Sequence, residues 1–404
     1  MSEKRNENYF LYTVLFITST VVLFFAIDRL FFQSDDLSQL KQEKREYLIN
    51  LPKEKAIKIG VTWPFFLEEG DNYFKEGILF ALKKLNKRKL LGRDIEVVFK
   101  DDEWEVETAT DIAKEFSNDK DIVAVIAHDD IDLATPASIT YEYSGTIMIS
   151  PAVSHPRFAR MDFDYIFRNT PSDVVIGQKL ADLAKSLNFK KVVVLNSKDL
   201  YSEGLSKVFS ERAKENRITI PYNEKFDENE KNFFKILTNI SPLSNKTIDY
   251  DAVFVAGSEE NVVSLIQEAR KKGIYAPFLT GDRLDSPKIL SMGETADNTI
   301  VATIYNSELL YEKTQNFIDD FKEEYAIVPD TWAVQGYDAM MLLAKAIENV
   351  NSLDPMLIAK QLKYMSNFES IIGNYSLNEA GDTVDRDVYF KIVKNSQFKY
   401  MNVE

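Results

Sequence analysis

Short apolar runs alternate with segments of helical periodicity along most of the chain. Two of these runs, Ile122–Ala127 and Thr146–Ile149, are rich in β-branched residues, and each is bounded by polar or turn residues. They are too short for a typical helix, so we predict that both are buried strands. The segment between them has helical character, with Asp132 as a candidate N-cap. Strands that are apolar on both faces are typical of a parallel sheet covered by helices on both sides.

Polar residues follow both of these strands. The two ends are His128–Asp132 and Ser150–His155, and both contain small residues that would let a ligand approach the backbone. In open parallel sheets, ligands bind in the crevice beyond the carboxyl ends of the strands. We therefore expect these two segments to form the floor of a binding site.

The same alternation extends in both directions and occurs twice. Residues 55–170 contain four predicted strands and 171–303 repeat the pattern, which implies parallel sheets with right-handed crossovers. In the second half, the predicted strands are Lys191–Leu195, one near Ile218–Ile220, Ala252–Val255 and Phe278–Thr280. Residues 304–404 add three helices and two strands without a linker long enough for a third domain. The predicted fold class is α/β, with two doubly wound lobes of parallel sheet.

Composition narrows the function classes. The chain has 404 residues, of which 45% are hydrophobic and 28% charged, as expected for two globular domains. Its net charge of −15 argues against nucleic acid as a partner. The absence of cysteine excludes disulfides, thiolate zinc sites and cysteine nucleophiles. The two histidines, His128 and His155, are too few for a His-rich metal site, so we expect them to be structural, and we expect no cofactor.

The N-terminal segment predicts a membrane anchor. Phe10–Ile27 carries no charged residue and, as a helix, would extend about 27 Å, close to the thickness of a hydrocarbon core. Lys4 and Arg5 precede it and acidic residues follow it, which favours a cytoplasmic tail at residues 1–9, a span at 10–32 and an extracytoplasmic domain. The rival interpretation is a cleaved signal peptide, but no convincing small-x-small site follows the span. Residues 33–54 are predicted to be a helical stalk that serves as a spacer.

Several local strings resemble one known family. They are IKIGVT, TPASITYEYSGTIMISPAVSHP, YIFRNTPSD, KVVVLNSKDLYSEGL, TWAVQGYDAMMLL and IIGNYSLNEAGD. In this order they resemble the type I periplasmic binding proteins, above all the branched-chain amino acid (leucine/isoleucine/valine) binding proteins of ABC transporters. The resemblance covers roughly residues 56–400.

This resemblance implies two lobes that close around a small ligand through three hinge crossings. The crossings are expected near Asn169, Thr303 and Asp387. Lobe 1 would then comprise residues 55–170 and 304–386, and lobe 2 would comprise 171–303 and 387–404.

The resemblance also implies a set of ligand-binding positions. Ala152 and Ser154 match positions whose carbonyl and hydroxyl face the ligand, and Tyr201 matches a tyrosine of the second lobe that closes over it. Asp282 matches an acidic residue that pairs with the ligand ammonium. Four further residues fall at positions near the ligand or its side-chain pocket: Ser258, Trp63, Glu69 and Trp332. Each also has a structural interpretation, such as capping a turn or packing in the core.

The departure from the family pattern lies after the third strand. Where the family tends to have glycine and serine residues that receive the ligand carboxylate, this chain has His128, Asp129, Asp130, Ile131 and Asp132. Aspartates would repel a carboxylate in a partly buried cleft. We expect either that they point away or that the ligand, which Asp130 would then contact, carries positive charge or many hydroxyls. A weaker hypothesis is a divalent cation at the three aspartates.

Three function classes remain. The first is an extracytoplasmic solute-binding protein that delivers a small polar ligand to an ABC permease. The second is a ligand-sensing or scaffolding subunit with a degenerate site, acting on a membrane partner. The third is an enzyme, which the sequence disfavours because it contains no G-x-S-x-G, G-x-x-x-x-G-K-[ST], H-E-x-x-H or G-x-G-x-x-G motif.

Overall fold

A computed structural model of the protein describes residues 39–66, 72–158, 162–243 and 248–401. The expected tail at 1–9, the expected span at 10–32, the start of the expected stalk and the candidate ligand residue Glu69 lie outside these ranges. Within them, no helix is both long enough and apolar enough to cross a membrane.

The described chain alternates helices and strands. The helices are α1 (39–49), α2 (Phe74–Arg88), α3 (Val106–Asn118), α4 (Ile131–Ser144), α5 (Asp173–Ser186), α6 (Leu200–Glu215), α7 (Phe234–Ile240), α8 (Glu259–Lys271), α9 (Pro287–Leu290), α10 (Glu312–Tyr325), α11 (Thr331–Val350) and α12 (Pro355–Lys363). The strands are β1 (Ile57–Trp63), β2 (Ile95–Asp101), β3 (Ile122–Ile126), β4 (Ile147–Ser150), β5 (Ile166–Arg168), β6 (Val192–Ser197), β7 (Asn223–Phe226), β8 (Ala252–Ala256), β9 (Phe278–Thr280), β10 (Thr299–Thr303), β11 (Phe368–Ser370), β12 (Gly373–Leu377), β13 (Thr383–Val384), β14 (Tyr389–Lys394) and β15 (Gln397–Tyr400).

Lobe 1 is built on a five-stranded parallel sheet in the order β2-β1-β3-β4-β5. Successive residues of β4 face opposite sides: Ile147 and Ile149 join the core beneath α2 and α11, while Met148 joins the core beneath α3 and α4. Because both faces are covered, every residue of β3 and β4 is buried. This double burial is the physical reason for the uninterrupted apolar runs in the sequence.

Lobe 2 is built on a seven-stranded sheet in the order β15-β14-β10-β9-β8-β6-β7. It is parallel from β7 to β10, but β14 and β15 add an antiparallel pair at one edge, which we had not predicted. Asn395 and Ser396 join these two strands with φ angles of 53° and 59°, which suits a tight hairpin turn. Lobe 2 is therefore a mixed sheet rather than a purely parallel one.

The strand predicted near Ile218–Ile220 is wrong. In this stretch Thr219 forms only an isolated bridge with Lys191, and the strand β7 lies further along the chain. Pro221 follows the predicted segment directly and cannot donate a ladder hydrogen bond, so regular pairing begins only after it.

The chain passes between the lobes after β5, after β10 and between β13 and β14. The buried side chain of Gln335 on α11 lies where the first and third of these crossings meet. The Asn169 amide donates to the Gln335 carbonyl (3.1 Å), the Gln335 amide donates to the Pro151 carbonyl (2.6 Å), and Arg386 donates to the Gln335 amide oxygen (2.6 Å). The two crossings are thus held against the α11 helix of lobe 1.

The helix α1 packs on lobe 1. Leu48 is only 1% exposed within the core of that lobe. The buried Lys44 ammonium donates to the Thr146 hydroxyl at 2.7 Å, and Arg45 forms a two-bond ion pair with Asp354 at 2.8 and 2.9 Å. The described part of the expected stalk is therefore part of lobe 1 and not a free spacer.

Candidate functional site

The loop after β4 forms one wall of a cleft between the lobes. Its conformation is fixed from behind by the fully buried Arg168, whose guanidinium donates to the carbonyls of Val153 (2.9 Å) and His155 (3.1 Å). The carbonyl of Ser154 accepts from the backbone N–H of Asp173 at 2.8 Å. Ala152 and Ser154, which belong to this loop, both line a cavity.

The facing wall belongs to lobe 2. Asp199 caps the N-terminus of α6 by accepting from the Ser202 N–H, which positions Tyr201 in the first turn. The Tyr201 hydroxyl donates to the Asp282 carboxylate at 2.9 Å. A Cβ at Gly281 would stand 2.3 Å from that hydroxyl oxygen, so only glycine permits this approach. Burial raises the pKa values of both Tyr201 and Asp282.

Arg283 connects the two walls. Its guanidinium lies over the Tyr201 ring, 4.0 Å from the centroid, and donates to the Asp130 carboxylate of lobe 1. Its other terminal nitrogen lies 3.9 Å from a carboxylate oxygen of Asp199. Arg283 of lobe 2 therefore lies close to a carboxylate of lobe 1, Asp130, and to a carboxylate of its own lobe, Asp199.

Two cavities meet at Arg283. The inner cavity, about 30 Å³, contains the four principal candidates, and its lining is Asp129, Ile131, Ala152, Val153, Ser154, His155, Tyr201, Asp282, Arg283 and Trp332. The second cavity, called the outer cavity here, has a volume of about 440 Å³, and its lining is Asn72, Trp104, Asp129, Asp130, Ser258, Glu259, Glu260, Arg283, Ser286, Lys288 and Trp332. The structure thus brings Ala152, Ser154, Tyr201 and Asp282 together around one small space.

The other candidates occupy less central positions. Ser258 caps α8, accepting from the Asn261 N–H, and lines only the outer cavity. Asp130, rather than Asp132, is the N-cap of α4 and accepts from the Asp132 N–H at 2.8 Å. Trp332 lines both cavities, whereas Trp63 is 1% exposed and lies behind it in the lobe-1 core, with ring centroids 5.5 Å apart.

The histidines and the aspartate-rich loop have structural partners. The His128 ring is fully buried, and its Nδ1 lies 2.8 Å from the Asp102 carboxylate. His155 lines the inner cavity, and its Nδ1 accepts from the Arg157 N–H at 3.2 Å. Among the residues that the structure describes, no group of three carboxylates or imidazoles is arranged to hold a metal ion. The Asp130 carboxylate instead serves the α4 N-terminus and Arg283.

Sequence reasoning missed Arg283, the element that joins the two walls. It stands directly after Asp282 at the end of β9, so a cation beside a predicted buried acid was visible in the sequence. Its partner Asp130 lies 153 positions away in the sequence, and nothing local indicates that pairing. Trp104 was also missed, although it lines the outer cavity.

Comparison with known proteins agrees with this architecture. The family description "Periplasmic binding protein" matches residues 56–397. A Leucine-, isoleucine-, valine-, threonine-, and alanine-binding protein of Pseudomonas aeruginosa is 25% identical over 337 residues, covering 82% of this chain and 88% of the relative. The Leu/Ile/Val-binding protein of Escherichia coli is 24% identical over 339 residues, covering 82% and 89%.

Among solved structures, an ABC transporter substrate-binding protein of Desulfitobacterium hafniense in complex with Leu is 29% identical, with a TM-score of 0.78. The match covers 86% of this chain and all 100% of that one. These relatives and neighbours are binding proteins of transporters rather than enzymes. Since the family match spans most of the chain, this protein belongs to the periplasmic binding protein family.

Proposed function

We propose that this chain is an extracytoplasmic, membrane-anchored solute-binding protein that closes two lobes around a small polar ligand, an amino acid or a related compound, for ABC-type uptake. The observation that carries the proposal is the inner cavity. Backbone and hydroxyl groups of lobe 1, at Ala152 and Ser154, face a phenol and a carboxylate of lobe 2, at Tyr201 and Asp282, across that single space.

The chemistry of these groups suits an amine. A carbonyl, a hydroxyl and a carboxylate are all acceptors for an ammonium, and the Tyr201–Asp282 hydrogen bond orients the carboxylate. The relatives support the same class of ligand, because the Pseudomonas protein is named for amino acids and the Desulfitobacterium structure contains Leu.

The membrane anchor in this proposal rests on the uncharged stretch Phe10–Ile27. Lys4 and Arg5 before it and the acidic residues Asp28, Asp35 and Asp36 after it support an extracytoplasmic position for both lobes. In this arrangement α1 follows the anchor and is already packed on lobe 1 through Leu48 and Arg45. The partner would be a membrane permease that receives solute from the cleft.

Ligand binding can be tested with the full chain in detergent. We expect one or more of a panel of amino acids, polyamines, sugars and nucleosides to raise the melting temperature, and calorimetry then gives the affinity. Ser154→Ala, Tyr201→Phe and Asp282→Asn should each weaken the best ligand by about tenfold or more, since each removes a hydrogen bond within the charged site. Ser186→Ala, at an exposed position of α5, is the control and should bind normally. A panel without a single stabilising compound would reject the proposal.

The alternative is a sensing or scaffolding subunit with a degenerate site. One observation favours it: the inner cavity of about 30 Å³ has room for roughly one water, and Arg283 already links the lobes. Reconstitution with the permease and its ATPase separates the two functions. Transport requires that this protein deliver labelled solute across the vesicle membrane, whereas a sensor changes ATPase activity without delivering solute.

A further inference from the structure

We propose that Arg283 is a displaceable cation in the cleft and thereby determines its specificity. The solute that the cleft takes is an organic cation, such as a diamine or a cationic amino acid, whose positive group replaces the guanidinium at Asp130 and over Tyr201. This inference rests on the proposed solute-binding function and names the class of solute.

The Arg283 side chain bridges the two lobes. It leaves lobe 2 after β9, lies over the Tyr201 ring and ends in an ion pair with Asp130 of lobe 1. The Arg283 side chain is 29% exposed and that of Asp130 is 12% exposed, so the pair is largely shielded from water. The contact therefore joins the two lobes directly across the cleft.

Two cavities meet at this ion pair. Arg283, Asp129 and Trp332 line both the inner cavity of about 30 Å³ and the outer cavity of about 440 Å³. The inner cavity is far below the several hundred Å³ of ordinary small-molecule pockets. Movement of the Arg283 side chain would join the two spaces into one pocket of ordinary size, so a solute that reaches Ser154 and Asp282 has to displace it.

When Arg283 moves away, the lining of the cleft is left with a large excess of negative charge. The two cavities are lined by five carboxylates, Asp129, Asp130, Glu259, Glu260 and Asp282, and by two cations, Arg283 and Lys288. Lys288 already pairs with Glu260 at 2.7 Å and Glu259 at 3.4 Å.

A neutral or anionic solute would therefore leave Asp130 shielded from water without a counter-ion, which is strongly unfavourable. A cationic solute restores the pairing at Asp130. It also gains the aromatic face of Tyr201 that the guanidinium had covered.

Calorimetry on the full chain in detergent tests the inference with putrescine, L-arginine, L-leucine and L-glutamate. We expect the unaltered protein to bind putrescine or L-arginine more tightly than the other two. In Arg283→Gln the internal competitor is gone, so the affinity for the cations should rise by about tenfold. Arg283→Lys keeps a competing cation, so its affinity for the cations should stay near that of the unaltered protein. The melting temperatures of both variants are measured to show that they are folded.

The matched control is Lys214→Gln. It removes one positive charge at an exposed position of α6 that lines neither cavity and leaves the Arg283–Asp130 pair intact, so the affinity for cations should change by less than about threefold. If Arg283→Gln weakens binding, the arginine is a ligand for an anionic group and the inference is overturned. A preference for L-leucine or L-glutamate also overturns it but leaves the solute-binding function standing. Absence of cation binding in both the unaltered protein and Arg283→Gln rejects it as well.

Discussion

Asp173 illustrates how a single carboxyl responds to the interior of this protein. It is fully buried at the start of α5, and burial, reinforced by the nearby charge of Asp282, raises its pKa to about 7. The Ser154 hydroxyl and the Arg168 guanidinium oppose that rise. Asp173 thus lies between the binding loop of lobe 1, whose Ser154 carbonyl accepts from its backbone N–H at 2.8 Å, and the acidic Asp282 of lobe 2.

This raised pKa predicts a pH dependence of stability. Between about pH 4 and 7 the folded state keeps a proton on Asp173 that the unfolded state has released, so its contribution to the free energy of unfolding falls as pH rises through that interval. Asp173→Asn removes the titration. Relative to the unaltered protein, the variant should gain on the order of 1–3 kcal/mol between pH 4 and pH 8. Urea unfolding at both pH values measures this gain, and an equal difference at the two pH values would contradict it.

At the scale of elements, lobe 1 depends on the close contact of α2 with α11. Gly77 faces the α11 backbone so closely that a Cβ there would stand 2.1 Å from the carbonyl oxygen of Ala333. The contact lets Phe74 and Ile78 of α2 reach the same core as Val334 of α11. It also fixes the end of α11 that carries Trp332 and Gln335 beside the cleft.

Gly77→Ala should therefore be strongly destabilising. The added methyl group meets backbone rather than a flexible side chain, so the helices have to separate, and we expect a loss of about 3 kcal/mol or more in the free energy of unfolding. Lys87→Ala, at an exposed position of the same helix, is the control and should change it by less than about 0.5 kcal/mol. Chemical denaturation of both variants measures these losses. Similar stabilities would show that α2 and α11 can move apart at little cost, contrary to the prediction.

The packing of α1 makes a second prediction at this scale. Leu48 is 1% exposed, whereas its neighbour Ile49 is 48% exposed. If α1 is part of the lobe-1 core, Leu48→Ala should cost about 2–5 kcal/mol in the free energy of unfolding. Ile49→Ala should cost little, since it truncates a largely solvated side chain. Equally small losses of stability in the two variants would show that α1 is a spacer and not part of the lobe-1 core.

At the scale of the whole molecule, aromatic residues report on the cleft. The chain has three tryptophans, and all lie at or behind the cleft: Trp104 and Trp332 line the outer cavity, and Trp63 contacts Trp332. A solute bound in the outer cavity would therefore lie beside Trp104 and Trp332. The Trp63 ring remains stacked on Phe74, 4.1 Å away, inside the lobe-1 core.

Intrinsic fluorescence should therefore follow solute binding. We expect a ligand found by calorimetry to change the tryptophan emission, with a clearly smaller change in Trp332→Phe than in Trp63→Phe, because Trp104 and Trp332 line the outer cavity and Trp63 does not. Titrations of the three proteins with that ligand check this. Retention of the full change in Trp332→Phe would contradict the placement of that ring at the cavity.

Local patterns determined most of the fold. The runs Ile122–Ala127 and Thr146–Ile149 predicted strands because a strand buried on both faces needs apolar side chains at every position. The strand at Tyr389–Val393 was predicted and is β14, but its antiparallel pairing with β15 was not, and this miss shares a cause with the misplaced strand near Ile218–Ile220. Both lie toward the edges of the lobe-2 sheet, where a single flank of pairing and a local turn or proline outweigh the hydrophobic pattern.

The sequence by itself determined the fold class, the family resemblance and four groups of the inner cavity, Ala152, Ser154, Tyr201 and Asp282, because strand ends and local strings are properties of short segments. Only the tertiary structure decided that α1 belongs to the lobe-1 core and that Arg283 pairs with Asp130. Contacts of that kind join residues more than a hundred positions apart, and their energies depend on burial and distance, which the order of residues along the chain does not state.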